Sequence, residues 1–182
     1  MTTTLRHWLA LLARVVVGVV LVWAGLAKVA DPLGSVAAVN AYDLLPGSLV
    51  EPIGYGLPAV EIVAGAALVL GIMTRGAAVL AALLFLAFVI GISTAWARGL
   101  EIDCGCFGGG GYDPDASSSY PWEIARDVAL LAASLFVVRV GAGRLALDSL
   151  LFRRSTVSAD VDDDVAHDRH PDHRPDRRTG EV

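Results

Sequence analysis

Long, nearly charge-free runs alternate with polar breaks along this chain. Three runs reach the about 20 mostly apolar residues that a helix needs to cross the hydrocarbon core of a bilayer: residues 8–29, 56–74 and 77–97. The third, AAVLAALLFLAFVIGISTAWA, contains no charge. A fourth, WEIARDVALLAASLFVVRVGAGRLAL, has an uncharged centre of 11 residues between Asp127 and Arg139. There Arg139 can snorkel toward one interface while Arg126 and Asp127 sit near the other. This pattern predicts an all-α fold, an integral membrane four-helix bundle within residues 1–152.

The breaks are unequal. Residues 30–55 include DPLGSVAAVNAYDLLPG, in which Leu33, Val36, Ala37 and Leu44 suggest a short interfacial helix. A tight turn is expected around Thr74–Gly76. Residues 98–121 are rich in Gly, Asp and Ser and hold both cysteines. From Arg153 onward little can be buried, so residues 153–182 are expected to form a disordered, charged tail. Its His167, His170 and His173 are spaced by three, but Pro171 and Pro175 break any helix that would align them, which favours solvated chain over a metal site. The first apolar run could also be read as a signal peptide, with a small-x-small site at Ala24–Ala27. Its length and the interrupting Arg14 favour a retained span.

Composition sharpens this picture. Hydrophobic residues make up 55% of the chain and charged residues 18%, which shifts the class from soluble to membrane. No basic face large enough for nucleic acid is visible. One set of span ends carries Arg6, Arg75, Arg144, Arg153 and Arg154; the opposite set carries Asp31, Asp43, Glu51, Glu101, Asp103, Asp113 and Asp115. Basic residues favour the cytoplasmic side. The expectation is therefore a multi-pass plasma-membrane protein with both termini cytoplasmic and the cysteine loop outside, where disulfides can form and persist.

Cys104 and Cys106 are the chain's two cysteines, separated by Gly105. As a structural disulfide the pair would gain about 1.6 kcal/mol in the chain-entropy model, against about 3 kcal/mol for a 15-residue loop, before strain is subtracted. As a metal site it offers half a zinc shell, although two soft sulfurs suit Cu(I). As unpaired thiols it would be unusual, since free cysteines are commonly buried rather than flanked by glycine. Thiol–disulfide exchange fits best: one thiolate attacks a partner's disulfide and its close neighbour resolves the mixed intermediate. The glycines give a partner access, and Phe107 offers it a docking surface. Which cysteine attacks is not readable from the residues.

Several charges fall at similar depth on the same side. Lys28 ends the first span, Glu61 lies roughly 8 Å inside the second at about 1.5 Å per residue, and Arg126 and Asp127 open the fourth. Intramembrane charges usually face the bundle interior and pair, so Lys28–Glu61, and Arg126 with Glu61 or Asp127, are candidate partners. A nearby cation would also raise the thiolate fraction of a cysteine. Snorkelling remains open for Lys28, and Arg14 and Arg139 read as snorkelling anchors.

Taken in order, RVVVGVVLVWAGLAKVADP, LPAVEIVAGAALVLG, CGCFGG and ARDVALL resemble the MauE family of methylamine-utilisation membrane proteins, within the wider DoxX-like group. The resemblance spans about residues 8–145 and rests on Arg14, Gly18, Gly25, Lys28, Pro58, Glu61, Cys104, Gly105, Cys106, Phe107, Gly108 and Arg126. The CGCFG stretch is its most specific part. Two departures are Asp127, where many relatives carry Asn, and a loop that runs on through GGGGYDPDASSSY. The resemblance implies a four-helix membrane protein of thiol redox, linked to maturation of disulfide-rich methylamine dehydrogenase beside an extracytoplasmic thioredoxin-like partner. Through the DoxX-like group it leaves a quinone cofactor open. The expected function is thus a membrane thiol–disulfide oxidoreductase component. Cys104 and Cys106 would be its reactive pair, with Lys28, Glu61, Arg126, Asp127 and Phe107 in support. The alternative is a non-enzymatic assembly factor or Cu(I)-binding chaperone using the same pair.

Overall fold

A computed structural model describes residues 3–141. The tail 153–182 with its histidines, the boundary at 152, and Arg144, Arg153 and Arg154 lie outside the described residues. Five helices and one small hairpin follow in the order α1 (Thr3–Ala30), α2 (Pro32–Ala41), α3 (Gly47–Leu70), α4 (Thr74–Ala97), β1 (Ile102–Asp103), β2 (Gly111–Tyr112) and α5 (Ala116–Val140). Three helices, Thr4–Ala30, Gly47–Leu70 and Thr74–Ala97, are long and apolar enough to cross a membrane. The second begins nine residues earlier than the apolar run at 56 suggested, because Gly47–Tyr55 continues helically past Pro52. Helix α5 has the length but not the apolarity, since Glu123, Arg126 and Asp127 occupy its N-terminal half.

Local chemistry sets the ends. Asp31 caps α2 by accepting the Gly34 N–H at 2.9 Å, and Pro32 opens the helix where a missing N–H costs nothing. Gly71 ends α3 in the left-handed region at φ 72°, while the Ile72 N–H reaches back to the Ala67 carbonyl at 2.9 Å. The tight turn is therefore at Gly71–Met73, just before the expected Thr74–Gly76, which is already helical. Inside α3, Pro58 has no N–H to give the Gly54 carbonyl. The buried Ser35 hydroxyl of α2 donates to that carbonyl instead, at 2.8 Å. This bond fastens the expected short helix to α3, with Ser35 and Ala38 as its buried face and Leu33 and Ala37 exposed; Leu44, expected in the same helix, lies past its end at Ala41.

Helix α1 packs chiefly on α3, and α4 on α5. Small residues bring α1 and α3 together: a Cβ on Gly18 would stand 2.8 Å from the Gly65 carbonyl oxygen, and one on Gly65 would stand 2.6 Å from that of Gly18. Such close backbone approach is how helices associate where lipid removes the hydrophobic drive. Gly65→Val should consequently cost about 1–3 kcal/mol by overpacking, measurable as a lower unfolding midpoint in detergent. Gly56→Ala, with nothing within 4 Å of the new carbon, should not lower it. Equal midpoints for Gly65→Val and the wild type would refute this crossing.

Val17, Leu21, Ala64, Leu68, Phe85 and Val137 belong to the main core. Large apolar side chains also cover the outside, among them Leu12, Trp23, Leu26, Val63 and Leu83, each more than half exposed. An apolar exterior around an apolar core is stable only in an apolar solvent. Arg14 departs from the snorkelling expectation: it is 3% exposed, within the bundle rather than at its rim. Arg139 is exposed, in keeping with it. Arg98, which the charge pattern left aside, lies near the acidic loops. It donates to the Tyr42 carbonyl at 2.7 Å and meets Asp43 at 3.5 Å.

Candidate functional site

The end of α1, the middle of α3, the N-terminal half of α5 and the hairpin loop converge on the two cysteines. The hairpin pairs Ile102 with Tyr112 and Asp103 with Gly111, which closes the chain around residues 104–110. Tyr120 of α5 binds the base of this loop, accepting the Ile102 N–H at 3.3 Å and lying 2.8 Å from the Leu100 carbonyl it can donate to. Ile92, Ala95, Ile102, Ala116 and Tyr120 form a second apolar cluster, into which Cys106 packs.

Gly105 makes the turn between the cysteines. Its φ of 65° disfavours any side chain, and a Cβ there would stand 2.5 Å from that of Ala38 on α2. The Asp103 carboxylate accepts the Gly105 N–H at 2.8 Å, so this acid shapes the turn. The Cys106 N–H points at Cys104 Sγ at 3.3 Å. Both thiols are free, and they differ in access: Cys106 is 5% exposed, whereas Cys104 is half-buried. The Cys106 thiol is pushed well above its usual range, first by its hydrogen-bonding contact with Cys104 and then by burial. A cavity of about 240 Å³ opens against Cys104 and Gly105, lined also by Lys28, Ser35, Tyr42 and Phe88. Cys106 does not line it.

The expected charged groups meet here. Lys28, 3% exposed, is buried rather than snorkelling, and contacts both oxygens of the fully buried Glu61 at 2.9 and 3.0 Å. Its third bond, at 2.8 Å, goes to the Cys106 carbonyl. One ammonium thus ties α1, α3 and the cysteine loop together across 78 residues of sequence. Arg126 pairs with its neighbour Asp127 at 2.9 Å rather than with Glu61. Its guanidinium lies 4.7 Å from the centre of the Phe107 ring, which also packs on Trp23 at 5.5 Å. All seven residues singled out in the sequence, Lys28, Glu61, Cys104, Cys106, Phe107, Arg126 and Asp127, therefore lie in one neighbourhood.

Two further residues border the pair. The Tyr42 hydroxyl donates to the Cys104 carbonyl at 3.1 Å. No signal marks Tyr42 in the sequence, since the contact spans 62 positions. Glu123 also faces the Cys104 thiol. It precedes Arg126 by three residues, one helical turn, and that spacing was its available signal.

A helical bundle with an apolar exterior, three helices fit to span a bilayer and a thiol pair over buried charges defines the class: a multi-pass membrane protein. The family model described as "Methylamine utilisation protein MauE" matches residues 6–140. A methylamine utilization protein MauE from Methylophilus methylotrophus is 34% identical over 133 residues, spanning 72% of this chain and 68% of that protein. The chain belongs to the MauE family. No solved structure matches it.

Proposed function

We propose that this chain is a membrane thiol–disulfide exchange component that passes electrons between the Cys104/Cys106 pair and an extracytoplasmic, thioredoxin-like protein. The single observation that carries the reading is the inequality of the two thiols: Cys104 is accessible beside a cavity, and Cys106 is sheltered directly behind it. Exchange needs one sulfur that a partner's disulfide can reach and a second that attacks only after the mixed disulfide has formed. Cys104 is the attacking thiol and Cys106 the resolving one. Arg126, close enough to both sulfurs to act on them electrostatically, favours the thiolate. Lys28 and Glu61 hold the loop carbonyl behind it.

In this reading α5 is the fourth span, with Arg126 and Asp127 in its outer half, and both termini are cytoplasmic in the plasma membrane. The family's printed description adds methylamine utilisation as the setting, and maturation of a disulfide-containing enzyme such as methylamine dehydrogenase is the task this chemistry suits.

Mass-tagging of thiols in membranes holding the full-length protein tests the reading. The oxidised pair should become taggable on incubation with a reduced thioredoxin-fold protein. A pair that neither gains nor loses tags with such a protein, reduced or oxidised, is not an exchange site. Sidedness is a separate expectation. A membrane-impermeant maleimide added outside intact cells should label Cys104, and labelling only after the cytoplasmic face is opened would invert the orientation.

A further inference from the structure

Thiol exchange moves a proton as well as electrons, and the carboxylates around the pair are not equally free to carry it. Glu61 is held by Lys28, Asp127 is paired with Arg126, and Asp103 accepts the Gly105 N–H. Glu123 differs. The Ser119 hydroxyl, one turn earlier on α5, donates to its Oε1 at 3.2 Å, which fixes the side chain. Its Oε2 is buried and accepts no hydrogen bond, and the carboxyl group faces the Cys104 thiol. A buried carboxylate oxygen without a donor is costly, and a proton from the adjacent thiol would satisfy it.

We propose that Glu123 is a catalytic residue, the proton acceptor and donor for Cys104. The assignment rests on the exchange reading above. Glu123 takes the proton from Cys104 Sγ as that sulfur forms a bond to one sulfur of the partner's disulfide. The partner's S–S bond breaks, and its electron pair leaves on the second partner sulfur. Glu123 delivers the proton there. Cys106 then attacks Cys104 Sγ and releases the first partner sulfur, which takes up the Cys106 proton. The partner departs as a dithiol and the chain holds the disulfide; the reverse sequence oxidises the partner. The other groups facing this corner do not fit the role. Arg126 stays charged at all relevant pH, Tyr42 and Tyr120 are phenols, a type that ionises far above neutral pH, and burial raises Tyr42 further; the sheltered Cys106 is itself a reactant.

Leaving-group dependence distinguishes a proton donor from a structural residue. A basic alkyl thiolate leaves more slowly and gains from a proton donor, whereas an aromatic thiolate of low pKa leaves without help. Full-length protein carrying Cys106→Ser, in vesicles, lets Cys104 report alone with no protein partner. Adding Glu123→Gln should slow its reaction with hydroxyethyl disulfide at neutral pH by about tenfold or more. Its reaction with dithiobis(nitrobenzoate) should slow several-fold less, because that leaving group needs no proton and only the loss of the acceptor is felt. Glu123→Asp, which keeps the carboxyl on a shorter arm, should show the same contrast in weaker form and carries the test if Glu123→Gln does not fold. Equal slowing with both disulfides, or no slowing with either, overturns the proposal. Because both probes are small molecules, this outcome is independent of whether a thioredoxin-like partner exchanges with the pair.

Discussion

In cells carrying Cys106→Ser, a fraction of this protein should run as a larger species on a non-reducing gel and return to its own size on reduction. Cys104, half-buried and beside a cavity, still attacks the partner's disulfide. The resolving thiol is gone, so the mixed disulfide cannot be cleared from within. The adduct should exceed that of the wild type about tenfold or more, since resolution between neighbouring groups is normally far faster than any bimolecular rescue. Cys104→Ser should give none, because the remaining thiol is 5% exposed and burial, which the variant leaves in place, still raises its pKa. An adduct from Cys104→Ser alone would reverse the order of attack. No adduct from either variant, with copper co-purifying with the wild type, would transfer the pair to the Cu(I) reading.

The second large effect concerns the buried ion pair. Removing one partner of such a pair costs about 3–5 kcal/mol, because it strands the other charge in a medium of low polarity. Both Lys28→Met and Glu61→Leu should therefore lose most folded protein, read as a lower unfolding midpoint in detergent. The double variant Lys28→Met/Glu61→Leu strands no charge. Its loss should fall to about 1–3 kcal/mol, the usual cost of an orphaned buried acceptor, here the Cys106 carbonyl that Lys28 held at 2.8 Å. The loop should then be loose on a stable bundle, so exchange should remain slow although stability returns. Losses that simply add in the double variant would show that the two residues do not stabilise each other.

Much of this protein was legible before any coordinates. Three spans follow from length and apolarity, the break between α3 and α4 to within three residues, and the importance of residues 104–108 from two cysteines in a glycine-rich stretch. The Lys28–Glu61 pair was legible as well, since charges within a membrane must find partners. These properties are local, or follow from the solvent that the chain must satisfy. The tertiary structure decided what depends on distance between remote segments. It placed Ser35 under the carbonyl that Pro58 leaves open, and it buried Arg14, whose sequence position suggested a rim. It directed Lys28 to the Cys106 carbonyl 78 residues away and set Tyr42 and Glu123 against Cys104. It also separated two cysteines that look equivalent in the sequence, because one turn at Gly105 sends Cys106 into the cluster around Tyr120 and leaves Cys104 at the cavity. Residue type tells which groups can react; only the packing of α1, α2, α3 and α5 around the loop determines which of them is reached.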